Sequence, residues 1–249
     1  MEKTEKKRLL IYVLIAYGVT YVMGLLMWYG NSKGMDVSAF PNAQMMYPAA
    51  GVALGFLLTR KGDKTVPKGF YIFFIVITGV MAAVSILSVI MPDEIVVIGG
   101  AGISVWSLAI NYILVLGSIV FWILLLAAGK ERRKAFGLNG NMWKKSVLMI
   151  LLFVALFLGR TALSCALAGQ IGIFTLVLTT PSTWVMMGLI LLNFFFAVPA
   201  FFGEEYGWRY YLQPLLQKKF GLKGGVLILG VVWGLWHLPV DFFYYTSPE

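Results

Sequence analysis

The sequence predicts an all-α protein: a polytopic transmembrane helix bundle with about seven spans, forming one integral membrane domain over residues 1–249. Three observations carry this. Of the 249 residues 60% are apolar and 12% are charged, with mean hydropathy +0.84. A soluble domain is about 45–50% apolar and about 25% charged. The apolar residues come in runs of roughly 20, the length that crosses a bilayer. Basic residues gather between alternate runs, the pattern of cytoplasmic loops. An ordinary soluble enzyme and a disordered chain are excluded.

The first span is residues 9–30. The basic start, Lys3 to Arg8, passes into an apolar run longer than the about 7–15 residues of a signal-peptide core, so this span is expected to be retained. The second is 43–59 and the third 70–91. The stretch 95–129 is too long for one helix and short for two. It divides into a glycine-broken outer segment, 95–102, and a fourth span at about 104–128. The fifth span is 146–168. Residues 170–180 are apolar but too few to cross, and are expected to lie on the outer surface or re-enter. The sixth span is 182–203 and the seventh 224–239.

The net charge of +9 follows from the loops. Clusters at Lys3–Arg8, Arg60–Lys68, Lys130–Lys145 and Lys218–Lys223 fall on one side of an up-down threading. The positive-inside rule makes that side, and the N-terminus, cytoplasmic. The basic excess therefore marks topology, and no nucleic-acid partner is expected. The single cysteine, Cys165, lies in an apolar run and reads as a small core residue. Gly51/Gly55 and Gly230/Gly234 permit close helix contact.

Ionisable groups within such helices are costly and point to function. Glu204, Glu205, Arg209 and His237, the only histidine, stand out. Arg160 is a fifth, placed where its stem can snorkel. On a helix Glu205 and Arg209 are i,i+4 neighbours and form an ion pair. Glu204 points about 100° away and is free to face a cavity. An interfacial charge cluster closing the sixth span is the competing reading. His237 offers a general base, a donor or a metal ligand, or is a satisfied core residue. Pro199 and Pro239 leave the carbonyls of Phe195 and Leu235 without helical donors, close to these residues.

Glu-Glu-x-x-x-Arg at 204–209, followed by Trp233-x-x-x-His237, resembles the CPBP family. That family comprises type II CAAX prenyl endopeptidases and the Abi proteins linked to bacteriocin self-immunity. Tyr-Leu-Gln-Pro-Leu-Leu after the arginine and His-Leu-Pro around the histidine agree with it. The motif region is about 146–249, and the likeness is sharp over about 198–244. Trp233 stands where the family usually has phenylalanine. The resemblance implies an intramembrane metalloendopeptidase of the bacterial plasma membrane, acting on a membrane-associated or prenylated peptide substrate. Glu204 and Glu205 would be catalytic with His237, supported by Arg209 and Trp233. Glu204 would be the general base on a water. A zinc ion would be held by Glu204, His237 and Asp241, one ligand set short of the usual family pattern. The family's third motif, a later histidine-x-x-x-asparagine, has no counterpart, so a truncated or shortened homologue is expected. A non-catalytic immunity or scaffold protein on the same helices is the alternative, and a small-solute transporter ranks last.

Overall fold

The computed structural model describes residues 2–91, 93–140 and 142–246. It is overwhelmingly helical and divides into two compact units, residues 1–137 with 196–249, and residues 138–195.

The larger unit begins with α1 (Lys3–Val13), which continues through a π-helical turn (Leu14–Val19) into α2 (Thr20–Ser32) as one helix. Glu2 and Glu5 form a capping box at its start. A short α3 (Ala39–Gln44) leads to α4 (Tyr47–Thr59), with Pro48 in the first turn, where a missing N–H is harmless. Then come α5 (Lys68–Ser88), the hairpin β1 (Ile95–Ile98) and β2 (Ala101–Ser104), α6 (Val105–Ala127) and α7 (Lys130–Ala135). The Ser104 hydroxyl caps α6 by accepting from the N–H groups of Trp106 and Ser107.

The smaller unit holds α8 (Trp143–Leu167), α9 (Ile171–Thr179) and α10 (Pro181–Phe196). The chain returns to the larger unit with α11 (Val198–Glu205), a second π-helical turn (Tyr206–Leu212) and α12 (Gln213–Phe243).

Among the described residues, five helical stretches are long and apolar enough to cross a membrane. The count is six if α9 and α10, bent by 70°, make one span. The expected second span is the 13-residue α4. It rises about 20 Å, short of the roughly 30 Å hydrocarbon core. The expected sixth span breaks at Ala197, with Pro199 in the first turn of a new helix. The 95–102 segment is a β-hairpin turning on Gly99 and Gly100, both at positive φ. Two glycines flanked by β-branched residues are a hairpin signal that hydropathy does not register.

The core of the larger unit is aromatic. Phe202 of α11 sits edge-on to Phe74 and Phe121, each 5.1 Å away between ring centres, and to Phe70 at 5.5 Å. One helical turn on, Tyr206 donates to the Phe136 carbonyl at 2.9 Å. Its proton is thereby committed, so the Tyr71 hydroxyl is the donor to Tyr206 at 2.6 Å. These contacts hold the residues on either side of Glu204 and Glu205.

Candidate active site

The expected seventh span is the second arm of a helical hairpin. Within α12 the backbone leaves the helix at Gly221 (φ 75°, ψ 169°), a conformation that favours glycine. The chain then runs back against itself. A Cβ on Gly225 would lie 2.6 Å from the Gln217 backbone, so the arms touch directly beyond the turn. Higher up, Trp208 stacks on Trp233 at 5.9 Å and meets Trp236 edge-on at 5.4 Å.

This register places the two motifs at one depth. Glu204 lies 17 residues before Gly221 and His237 lies 16 residues after it. Spans bounded at 203 and 224, as hydropathy sets them, would leave Glu204 at the membrane edge and His237, 13 residues past 224, about 20 Å in from it. The structure removes the mismatch because the first arm stays helical from Val198 to the turn. Residues 204–220 are polar enough to end a span by hydropathy. Yet Tyr206, Trp208, Tyr211 and Leu212 bury one face of them.

The half-buried Glu204 carboxylate is within electrostatic reach of His237, Glu205 and the Trp233 indole. Trp233 Nε1 is buried and has no hydrogen bond of regular geometry. Glu205 points elsewhere: its Oε2 pairs with Arg209 Nε at 2.6 Å, both side chains more than half exposed. The Arg209 guanidinium also lies over the Trp233 ring, 5.3 Å from its centre. The Glu205–Arg209 ion pair therefore appears as the i,i+4 spacing predicts.

His237 has a defined tautomer. Its Nδ1 lies 2.9 Å from the Trp233 carbonyl oxygen, which can only accept. Nδ1 therefore carries a proton and donates, and in the neutral ring Nε2 keeps its lone pair. Trp236 packs edge-on to the imidazole at 4.8 Å. The carbonyl freed by Pro239 has a partner, since the Tyr21 hydroxyl donates to Leu235 O at 2.8 Å.

The expected zinc ligands do not assemble. Among the described residues, no three His, Cys, Asp or Glu side chains are close enough to hold a metal ion. Asp241 is exposed, one turn past His237 and beyond Pro239. A catalytic zinc site normally takes three protein ligands and a water. Glu204 and His237 are two, so the residues present do not fit that group. Of the other residues singled out, Cys165 is a half-buried free thiol, and Arg160 lies over Phe157, 5.3 Å from its ring centre. Both belong to the smaller unit.

The sequence reading missed the residues of the first helix that meet α12. Tyr17, Thr20, Tyr21 and Gly24 recur at i, i+3, i+4 and i+7, a stripe on one helical face. That spacing was a usable signal. The two π-helical turns have no comparable sequence mark.

A helical membrane bundle that sets a carboxylate against an imidazole across a hairpin is the class defined by this fold and site. Residues 184–248 match the family model described as type II CAAX prenyl endopeptidase Rce1-like. The matched segment contains both motifs, is consistent with the CPBP family, and supports a CAAX-protease-type fold there. No curated protein and no solved structure matches the chain.

Proposed function

We propose that this chain is an intramembrane endopeptidase of the CPBP type. Glu204 acts as general base on a water that attacks a peptide carbonyl. His237 holds that water, or the developing oxyanion, from the opposite arm. In the neutral tautomer Nε2 accepts a hydrogen bond from the water; as the imidazolium, protonated from solvent, it donates to the oxyanion, and Glu204 returns the water's proton to the leaving amine. Glu205 and Arg209 lock the first arm and the Trp233 face. The substrate is a membrane-associated peptide, with a prenylated C-terminus the class that the family match favours. The observation that carries this reading is the common depth of Glu204 and His237 across the Gly221 turn.

The topology points the same way. In the larger unit, Arg8 donates to Thr59 Oγ1 at 3.1 Å and Arg132 donates to the Lys64 carbonyl at 3.1 Å. Lys6, Lys218 and Lys219 line one pocket. The basic clusters thus share an end, which the positive-inside rule places in the cytoplasm, here of a bacterial plasma membrane.

The test is cleavage of a prenylated peptide by purified protein. Glu204→Gln should lower kcat at least about 100-fold, the scale of a general base, with the protein still folded. Turnover within a factor of two of wild type would remove Glu204 as the base, whereas no cleavage by the wild-type protein itself would favour a non-catalytic immunity or scaffold protein.

A further inference from the structure

The first helix meets α12 through a set of matched contacts. The Tyr17 hydroxyl donates to the Val232 carbonyl. The Trp236 indole donates to Ala16 O and to Thr20 Oγ1, both at 2.9 Å. The Tyr21 hydroxyl donates to Leu235 O, and a Cβ on Gly24 would lie 2.7 Å from Pro239 Cβ. The numbering offset across these pairs stays between 214 and 220. The two helices therefore run parallel, in a fixed register.

The π-helical turn explains the Trp236 seat. In an α-helix the Ala16 carbonyl would be taken by the N–H of residue 20. Over Leu14–Val19 the helix is π-helical, and the Thr20 N–H is directed to the Tyr17 carbonyl instead. The Thr20 hydroxyl donates to Ala16 O at 2.6 Å, so its own lone pair is turned to the indole. Trp236 is 1% exposed and Thr20 is 1% exposed, so neither bond can be replaced by solvent. A buried indole N–H without an acceptor costs about 1–3 kcal/mol, which penalises any other rotation of α12. His237 follows Trp236 directly and rotates with it.

We infer that Thr20 and Trp236 are positioning residues: the π turn of the first helix sets the rotation of α12 that turns His237 toward Glu204. The inference rests on the proposed pairing of Glu204 and His237. It extends the site to a helix that lies outside the residues matched by the family model.

The only histidine in the chain is its own reporter. With ¹⁵N-histidine-labelled full-length protein in micelles, Glu204→Gln should shift the His237 ring resonances, since it replaces a carboxylate within electrostatic reach. The same substitution placed on Thr20→Val or Trp236→Phe should give a smaller shift or none. On Thr20→Ser, which keeps the hydroxyl, the full shift should return. Thr20→Val keeps the side-chain shape, so a folded variant is expected even where Trp236→Phe fails to fold. An equal Glu204→Gln shift on wild type and on Thr20→Val would overturn the positioning role and leave the pairing intact. No shift on wild type would remove the pairing itself, and the positioning role with it.

Discussion

In the larger unit Phe74, Trp208 and Tyr71 are completely buried and Trp236 is 1% exposed. In the smaller unit no described residue of α8, α9 or α10 is buried. Both units contain apolar stretches that pass for spans, so hydrophobicity does not separate them. Lipid tails are as apolar as leucine, and helices in a bilayer gain nothing by merely hiding apolar surface from one another. What distinguishes the larger unit is shape and polar bonding. Glycines admit a neighbouring backbone, aromatic rings meet edge-on, and hydroxyls and indoles donate to carbonyls of the facing helix. The candidate site lies where those devices are concentrated.

The sharpest way to break this contrast is to delete one ring from each unit. Phe74 is buried and packs on Phe202; Phe153 is 69% exposed and touches Phe157. Phe74→Ala should cost about 4 kcal/mol, the range for a buried phenylalanine, and loosen the packing beside Glu204. Phe153→Ala should stay within about 0.5 kcal/mol. Denaturant-induced unfolding in mixed micelles measures both. Equal losses would mean that α8 is as tightly packed as α5.

Glycines make the same comparison on a smaller scale. A Cβ on Gly207 would lie 2.2 Å from Pro48 Cβ and 2.8 Å from the Pro48 carbonyl carbon, closer than real atoms approach. Gly207→Ala must push α4 away from the π turn and should cost about 3 kcal/mol, the upper end for overpacking. A Cβ on Gly159, in α8, would meet nothing within 4 Å. Gly159→Ala should instead be neutral or stabilise by up to about 1 kcal/mol through helix propensity. A Gly207→Ala protein that unfolds like wild type would show that the close contact is not required.

Much of this was legible in the residues, for physical reasons. Composition and run length gave a helical membrane protein because a bilayer admits little else. The i,i+4 spacing gave the Glu205–Arg209 pair. The scarcity of charge made Glu204 and His237 conspicuous. Hydropathy fails where one helix face is polar and the other aromatic, as in residues 204–220, so it closes the sixth span at 203 and opens the seventh at 224 instead of carrying one helical arm to the turn at Gly221. It also failed at α4, where an apolar run is packed in protein and too short to cross. The first-helix stripe of Tyr17, Thr20, Tyr21 and Gly24 was overlooked because tyrosine and threonine pass as ordinary membrane residues. Only the π turn reveals what they bond. The three-ligand metal set was carried by resemblance alone, and the side chains do not converge to make it.

The smallest effect expected concerns Asp36, in the larger unit between α2 and α3. Burial alone would push its carboxyl up. Hydrogen bonds from the Ser38 N–H and the Ser107 hydroxyl, in a pocket of serine hydroxyls that includes Ser104 and Ser38, outweigh this and hold it below the ordinary value. The Ser38 N–H donates to it at 2.9 Å and the Ser107 hydroxyl at 3.0 Å, tying the α2–α3 connection to the start of α6. A carboxyl depressed in the folded state stabilises it fully above the unfolded value, about 3.9. That contribution disappears as pH falls through the lower, folded value. The melting temperature of Asp36→Asn should therefore lie below wild type at pH 7, and the gap should close as the pH falls below about 4. No titrating carboxylate has such a network among the described residues of the smaller unit, so its proteolytic susceptibility should not follow the same curve. A gap that stays constant from pH 7 to pH 3 would assign the effect to lost packing, and the tie between α6 and the first helix would then not depend on charge.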